Sequence, residues 1–496
     1  MRPIHAFRAA ACAAALLGAV PHAAAQQAPV QWTRYTPPPV VSSDSATKTL
    51  TTTLTAIPGQ VTVAGATYQS NLLNGLITPP VLDLEPGDSL NLLLVNAMPA
   101  AEDNWTNLHF HGFAVSPLPP ADNVTMIHVL PGSSYQFQMR LPDDHPEGLF
   151  WYHPHPHGVS DPQVAGGMSG VINIGNPRRH FGPAVQAAPE FFLMLKAYAP
   201  EGVDEPMHLV NGQPRVELPE LQQGQAQFWR IANISSGTFY RLRVRDPQGK
   251  NVKFQVIARD GNVVRRRGGA LPIVEEDSML LGPGQRFEIL VKLDTPGEHL
   301  LVSDPQVQTH FHDDTLYLAR VYVVPAPPAR RAPTLAERSG GDPREEALIA
   351  RLLAADSVIR QTVTFDVAFR VDGASYDPNV IMRELRVGQV YEWTIENLAV
   401  IWHIFHIHQG DLVVLSMDGE RFTPNYRVDT ANLPPRSRTV IRFLYERPAT
   451  AGPFVYHCHI LGHEDLGMMA NVLLLGAAED GNGTAARSSP APAHRH

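Results

Sequence analysis

Cysteine is almost absent from this sequence: the 496 residues contain only Cys12 and Cys458. Because Cys12 lies in the N-terminal leader described below, the exported chain keeps a single thiol and cannot form an internal disulfide. Beyond the leader, no apolar run approaches the ~18 to 20 residues needed to cross a membrane. The formal charge of −9 includes no long basic run, which argues against a nucleic-acid partner. Stability is therefore expected to come mainly from large hydrophobic cores.

The first 25 residues have the pattern of a secretory signal peptide. Arg2 and Arg8 precede an Ala- and Leu-rich stretch, and Ala23-Ala24-Ala25 forms a small-residue cleavage site before Gln26. The leader has no twin-arginine pair, which favours general export. We therefore expect a periplasmic or secreted protein with no membrane span.

The remaining length, about 470 residues, predicts about three domains. The 45 prolines and 37 glycines separate short runs rich in Val, Leu and Ile, which is typical of all-β sandwiches or barrels. Two polar, proline-bearing stretches are interpreted as linkers, and a short helical pattern follows the second, from Arg344 to Leu353. The resulting boundaries are 26–178, 185–325 and 346–476 for the domains, 326–345 for the second linker, and 477–496 for a tail whose composition predicts disorder.

The most informative motif is His457-Cys458-His459, followed by His463 and Met468. On a strand over residues 455–460, the two flanking imidazoles project to one face and the thiol to the other, because side chains alternate across the pleat. A thiolate with imidazoles and a weak axial thioether suits copper in the blue, electron-transfer geometry. The backbone of Cys458 would then join that copper to whatever the two flanking histidines bind.

Three more segments contain a His-x-His pair. They are His109-Phe110-His111, His153-Pro154-His155, and His403-Ile404-Phe405-His406-Ile407-His408. On a strand, such a pair directs both imidazoles to one side. Together with His457 and His459 the pairs supply eight imidazoles, whereas a single zinc ion takes about four ligands. The pattern therefore indicates a cluster of several metals with positions left open for a small molecule.

In these four motifs, and in connecting segments such as Gly148-Leu149-Phe150-Trp151-Tyr152 and Val164-Ala165-Gly166-Gly167-Met168, the chain resembles the multicopper oxidases of the bacterial, laccase-like, three-domain type. The resemblance covers residues 45–475. It implies an all-β fold of three cupredoxin-like Greek-key β-sandwich domains. It also implies that the metal cluster lies between the first and third domains, with no copper motif in the second.

The resemblance further implies four copper ions and assigns ligand residues to each copper site. A type 1 copper, which accepts electrons from the reductant, would be bound by His403, Cys458 and His463, with Met468 as axial ligand. A type 2 copper would be bound by His109 and His406. The type 3 pair would be bound by His111, His153, His155, His408, His457 and His459. Asp122 and Glu464 resemble the family's acidic residues near the cluster and would act as general acids, although Asp122 also fits a turn residue.

Several features have competing interpretations. We expect His157 to support the ligands without binding copper, His310-Phe311-His312 to be structural, and Met469 to be the alternative to Met468. The expected activity is oxidation of a small phenol or aromatic amine coupled to dioxygen reduction, by a monomer. The alternative is a cuprous-ion oxidase in copper tolerance, which is less favoured because the 12 methionines are scattered. A copper-free scaffold protein is disfavoured because all twelve expected ligands are present, and a two-site copper nitrite reductase because its type 2 centre does not require four His-x-His pairs.

Overall fold

A computed structural model of the protein describes residues 31–264, 275–326, 343–424 and 426–477. The predicted signal peptide, residues 327–342 of the second linker and nearly all of the predicted tail lie outside the described residues. Strands dominate the described chain, so the predicted all-β class is confirmed. From Trp32 onward the described residues form one compact unit.

The N-terminal sandwich pairs a five-stranded sheet with a four-stranded sheet. The first described strand, β1 (Thr33–Arg34), joins the middle sandwich. The elements of the N-terminal sandwich are β2 (Val40–Ser42), β3 (Thr49–Val63), β4 (Ala66–Leu73), β5 (Val81–Leu84), β6 (Ser89–Asn96), β7 (His109–His111), β8 (Ser134–Arg140), β9 (Gly148–His153), α1 (Ser160–Ala165) and β10 (Gly170–Ile174). The strand orders are β2-β5-β10-β9-β7 and β4-β3-β6-β8. In β6, Leu90, Leu92 and Leu94 are fully buried and their neighbours are not, as a two-residue pleat requires.

The middle sandwich has the two largest sheets. After α2 (Pro183–Gln186) its strands are β11 (Glu190–Tyr198), β12 (Met207–Val210), β13 (Val216–Glu217), β14 (Leu221–Gln222), β15 (Ala226–Asn233), β16 (Tyr240–Arg245), β17 (Asn251–Val252), β18 (Phe254–Arg259), β19 (Asn262–Val263), β20 (Glu275–Glu276), β21 (Met279–Leu281), β22 (Arg286–Lys292), β23 (Gly297–Ser303) and β24 (Leu316–Val324). Strand β1 pairs in parallel with β13, so the N-terminal end of the described chain extends this sandwich.

The C-terminal sandwich pairs two five-stranded sheets. Its elements are α3 (Pro343–Ala354), β25 (Ile359–Phe365), β26 (Ile381–Arg386), β27 (Tyr391–Asn397), β28 (His403–Ile407), β29 (Leu412–Met417), β30 (Glu420–Arg421), β31 (Thr430–Leu433), β32 (Arg438–Phe443), β33 (Gly452–Cys458), α4 (Leu461–Asp465) and β34 (Met469–Leu475). The strand orders are β25-β27-β32-β29-β30 and β26-β34-β33-β28-β31.

The predicted elements correspond closely to those observed. The helical pattern predicted from Arg344 to Leu353 is α3. The first linker contains two short helical turns, Pro177–His180 and α2. Short 3-10 turns also occur at Glu102–Asn104 and Pro448–Thr450. No helix among the described residues is long and apolar enough to cross a bilayer.

The strand predicted over 455–460 is wrong at its C-terminal end. Strand β33 ends at Cys458, because the chain turns there toward α4, which begins at Leu461. The His459 amide still donates to the carbonyl of Ile404, at 2.8 Å, so His459 stays beside β28. The flanking histidines therefore keep the common side that the alternation predicts.

Candidate metal centre

Two pairs of neighbouring strands position most of the histidines. In the N-terminal sandwich, β7 lies beside β9 and His109 is directly opposite His153. In the C-terminal sandwich, β28 lies beside β33 and His406 is directly opposite His457. Side chains directly opposite each other on adjacent strands are close neighbours. Each sandwich therefore presents a compact patch of imidazoles.

The two patches interlock. The ring of His109 stacks on that of His408 with centroids 3.9 Å apart, and His111 stacks on His406 at 4.0 Å. Nε2 of His457 lies 3.3 Å from Nε2 of His155. All eight imidazoles are at most 1% exposed: His109, His111, His153, His155, His406, His408, His457 and His459. The N-terminal and C-terminal quartets thus form one buried cluster.

The nitrogen atoms of this cluster suit metal binding. Donor atoms of His109, His111 and His153 lie within 4.8 Å of one another. The same holds for His109 with His406 and His408, and for His155 with His408 and His457. The Nε2 atoms of His109, His153 and His406 are buried without a hydrogen-bond partner among the described residues. Unsatisfied buried polar atoms are costly, and a bound metal would satisfy them. Tetrahedral sites with bonds of about 2.0 Å separate their donors by about 3.3 Å, close to the spacings found here.

Burial keeps these imidazoles in the neutral form that binds metals. It lowers the pKa of His153 to about 3 and that of His155 to about 4. The pKa values of His109 and His408 also lie well below the usual value, first because of burial and then because of the neighbouring imidazoles. A neutral imidazole leaves one ring nitrogen free as a ligand.

A second group of donors surrounds Cys458. Its Sγ lies 3.5 Å from Nδ1 of His403 and 3.6 Å from Nδ1 of His463, and the two Nδ1 atoms are 3.1 Å apart. Burial raises the pKa of the Cys458 thiol to about 12, so only a bound cation would hold the thiolate form here. Burial also lowers the pKa of His403 to about 3.

The backbone of Met468 lies between two members of this group. Its amide donates to the carbonyl of His463 and its carbonyl accepts from the amide of Cys458, each at 3.0 Å. Its fully buried side chain belongs to the same hydrophobic core as Cys458. Met469 instead packs in a separate cluster with Val455. The structure thus distinguishes the two methionines by their surroundings.

The two predicted acids lie against different parts of the imidazole cluster. Asp122 accepts from Nδ1 of His109 at 3.0 Å, from the amide of Phe110 at 3.1 Å and from the side chain of Gln409 at 3.0 Å. Burial raises its pKa to about 7. Asp122 therefore fixes the ring of His109 and directs its other nitrogen, Nε2, into the cluster.

Glu464 lies between two histidines from different sandwiches. Its oxygens are 3.2 Å from Nδ1 of His155 and 3.1 Å from Nδ1 of His457, and Ser160 donates to it at 3.2 Å. Burial alone would raise its pKa, but the adjacent imidazoles of His155 and His457 outweigh that effect and lower the pKa to about 2. The carboxylate therefore lies between the outer nitrogens of two rings whose Nε2 atoms converge.

Asp429 and Arg286 are site residues that the sequence reasoning missed. Asp429 lies 3.1 Å from Nε2 of His111, and its backbone carbonyl is 2.7 Å from Nδ1 of His406. Arg286, at the start of β22, donates to both carboxylate oxygens of Asp429 at 2.9 and 2.7 Å. Both side chains are fully buried. The sequence signal for Arg286 is its position as a charged residue at the start of the largely apolar strand β22.

Two other histidines do not lie as expected. His157 is outside β9, is exposed, and packs against Tyr376 with centroids 4.8 Å apart. It belongs to none of the close donor groups among the described residues. His310, interpreted from the sequence as structural, has its Nε2 only 3.1 Å from Nε2 of His463.

Comparisons with known proteins agree with this arrangement. Two family models, each described as multicopper oxidase, match residues 56–179 and 351–475. Multicopper oxidase mco of Staphylococcus haemolyticus is 25% identical over 420 residues, covering 80% of this chain and 82% of the relative.

Solved structures with the same fold include a multicopper oxidase from Campylobacter jejuni, described as a metallo-oxidase. It has a TM-score of 0.72 at 22% identity, covering 90% of this chain and 95% of the other. A second is the laccase-like multicopper oxidase CueO of Ochrobactrum sp., described as active towards lignin model compounds. Its TM-score is 0.70 at 23% identity, covering 89% of this chain and 100% of the other. The three sandwiches are therefore cupredoxin-like domains.

The two family models match the N-terminal and C-terminal sandwiches that carry the imidazole patches, and the curated relative aligns along most of the chain. Membership implies copper as the metal, and the buried histidine clusters are able to bind it. The chain belongs to the multicopper oxidase family.

Proposed function

We propose that this protein is a laccase-like oxidase that removes one electron at a time from phenols or aromatic amines and reduces dioxygen to water. The observation that carries the proposal is the junction at β33. Cys458 faces His403 and His463, while its neighbours His457 and His459 lie in the eight-imidazole cluster. One short strand thus connects an electron-accepting site to a site for dioxygen.

The proposed ligand sets follow the observed donor groups. His403, Cys458, His463 and Met468 would bind the type 1 copper, and His109 and His406 the type 2 copper. The remaining six imidazoles would bind the type 3 pair. Four coppers bound in these sites would supply the capacity to take up the four electrons that convert dioxygen to two waters. The middle sandwich provides no ligand in this assignment and acts as spacer and wall.

The protein's own groups prepare this site in three ways. Burial keeps the histidines neutral, so each ring can offer a nitrogen. Asp122 accepts from the outer nitrogen of His109, which fixes the orientation of that ring and makes it a better ligand, and Glu464 lies within 3.2 Å of the outer nitrogens of His155 and His457. Water formation consumes protons, and we propose Asp122 and Glu464 as the general acids. Asp122, whose pKa burial raises to about 7, would donate directly, whereas Glu464, which rests as a carboxylate, would first take up a proton.

A cavity beside His463 suits the reductant. It encloses about 750 Å³, within the range of about 300–1,000 Å³ typical of small-molecule sites. Its wall includes His463 and the aromatic ring of Phe311. An aromatic molecule in this cavity would lie next to a type 1 ligand.

The same cavity supports the alternative, oxidation of cuprous ions. Its wall carries the carboxylates Asp161, Asp204, Glu205, Asp313 and Asp314, which would attract cations. The solved relatives include a protein described as a metallo-oxidase and another described as acting on lignin model compounds. The scattered methionines favour organic reductants, because soft thioethers are the usual ligands for Cu(I).

Copper loading and oxygen uptake test the proposal. The loaded protein should be blue, hold about four coppers per chain, and consume oxygen faster with a methoxyphenol than with Cu(I). Cys458→Ser should lose the blue colour and oxidase turnover while it keeps about three coppers, because its thiol binds only the type 1 ion. A loaded protein without the blue absorption would exclude this function, and faster uptake with Cu(I) would favour the alternative.

We also propose export to the periplasm or beyond, with dioxygen and a small-molecule reductant as the partners of a monomer. The leader at residues 1–25 supports export. Fractionation of cells that express the full sequence would test it, and retention of the uncleaved chain in the cytoplasm would contradict it.

A further inference from the structure

His310 reaches from the middle sandwich to the proposed type 1 site. Its Nε2 lies 3.1 Å from Nε2 of His463, and the two rings meet edge to face with centroids 4.8 Å apart. Nδ1 of His463 faces Cys458 and His403, so Nε2 is its outward nitrogen. When Nδ1 serves as a ligand, Nε2 carries the proton and donates to His310. His310 thus occupies the outward hydrogen-bonding position of His463.

Contacts with the middle and C-terminal sandwiches fix the loop that carries His310. This loop spans residues 304–315, between β23 and β24. Phe311 stacks on Phe239 with centroids 5.1 Å apart and meets the edge of Trp402 at 5.6 Å. Nε1 of Trp402 donates to the side chain of Gln308, and the His310 carbonyl accepts from the amide of Phe239 at 2.8 Å. The His310 ring is therefore held in position from both sides.

The backbone of His310 has a left-handed conformation, with φ of +73°. Glycine adopts this conformation freely, whereas a residue with a Cβ carries a cost of about 1 kcal/mol. A histidine at such a position suggests a role for its side chain. The same geometry makes His310→Gly a clean test, because it removes the ring without straining the loop.

The wall of the 750 Å³ cavity includes His310 together with Ile460, Gly462 and His463. Nδ1 of His310 lies on the side of Gly237, another residue of the cavity wall. His463 itself is only 5% exposed. A reductant in the cavity therefore lies beside both rings, and the outward nitrogen of His463 is already in contact with Nε2 of His310.

We propose that His310 is a specificity-determining cap on the electron-accepting site. Because it occupies Nε2–H of His463, a reductant's hydroxyl group cannot hydrogen-bond there, and the electron leaves the reductant across the His310 ring. A phenol that loses one electron and releases its hydroxyl proton to solvent becomes a neutral phenoxyl radical. Four such oxidations match the four electrons that one dioxygen takes up. This inference rests on the proposed type 1 role of His463.

The test compares a methoxyphenol with ferrocyanide, a donor that has no hydroxyl group. In His310→Gly, the ratio of the two kcat/KM values should rise about tenfold in favour of the phenol, the gain expected from about one new hydrogen bond. The reduction potential of the type 1 copper should also rise, because His463 loses an acceptor that makes it a better ligand. The visible and electron paramagnetic resonance spectra should still show a type 1 site.

Two matched variants complete the experiment. His310→Gln keeps an acceptor oxygen and should retain the parent potential and donor ratio, and His128→Gln changes an exposed histidine of the N-terminal sandwich as a control. If His310→Gly leaves both the kcat/KM ratio of methoxyphenol to ferrocyanide and the type 1 potential unchanged, His310 is not a specificity-determining cap. The same conclusion follows if His310→Gln behaves like His310→Gly. A parent protein without a type 1 spectrum would overturn the proposed function itself, and the cap with it.

Discussion

At the scale of single residues, the carboxyl group of Asp122 orients the ring of His109 and is proposed to supply protons to the metal cluster. An asparagine at this position keeps the acceptor oxygen for Nδ1 of His109 but loses the acid. Changes of groups that orient metal ligands typically cost about 10–100-fold in activity or metal affinity.

We therefore expect Asp122→Asn to lower kcat by about 10–100-fold and to leave the type 1 spectrum unchanged. Oxygen uptake and visible absorption on the copper-loaded protein would measure both. Asp143→Asn, an exposed aspartate far along the same sandwich, is the control and should keep parent activity. Parent-like turnover in Asp122→Asn would remove the proton-supply role.

Met468 and Met469 offer a second comparison between adjacent residues. Met468 shares the core of Cys458, whereas Met469 packs with Val455 in another cluster. Replacement of an axial thioether by a non-ligating side chain raises the potential of a type 1 copper, since the axial ligand tunes it. Met468→Leu should raise the potential and Met469→Leu should leave it unchanged, as measured by redox titration of the blue absorption. Equal potentials in both variants would show that Met468 is not axial.

At the scale of secondary-structure elements, two short helices connect the outer sandwiches beside the cluster. Asp465, at the end of α4, accepts from the amides of Gly158 and Ser160 at 2.9 and 3.1 Å, and from the amide of Asp161 at 2.8 Å. It thus caps the start of α1 from a distant part of the chain. The adjacent Glu464 accepts from Ser160 in the same region.

Asp465→Ala should lower the free energy of unfolding by about 1–2 kcal/mol, the usual effect of losing an N-terminal helix cap. Thermal unfolding of the metal-free protein would measure it. Asp465→Asn keeps one acceptor oxygen, so its loss should be smaller. If the alanine and asparagine variants melt at the same temperature as the parent, the contact contributes nothing to stability.

At the scale of the whole molecule, Arg286 connects all three sandwiches. It extends from β22 of the middle sandwich, donates to the carbonyl of Leu149 in β9 at 2.9 Å, and pairs with Asp429 before β31. Asp429 in turn contacts His111 and His406. The middle sandwich, which has no proposed ligand, thereby helps to position the cluster.

Removal of one partner of a buried ion pair typically costs about 3–5 kcal/mol, because the other charge is left without compensation. Arg286→Met should therefore lower the melting temperature markedly and reduce the copper content of the cluster. The double variant Arg286→Met with Asp429→Asn removes the uncompensated charge and should recover part of the stability. Calorimetry and copper analysis would measure both effects. If the stability losses of the two single substitutions simply add in the double variant, Arg286 and Asp429 are not coupled.

Much of the fold could be predicted because its signals are local. The two-residue alternation of Leu90, Leu92 and Leu94 and the helical pattern after Pro343 both depend on neighbours a few positions apart. The end of the strand at Cys458 could not be predicted from alternation, because the turn into α4 decides it. The addition of β1 to the middle sandwich likewise depends on pairing with Val216, far along the chain.

The sequence by itself determined the metal chemistry of this protein, because donor type and spacing along a strand are written in consecutive residues. Only the tertiary structure decided which groups surround those donors. Glu464 between His155 and His457, Arg286 on Asp429, and His310 over His463 all join segments that are distant in sequence. Such contacts are set by how whole sandwiches pack against one another, and no local periodicity encodes that packing.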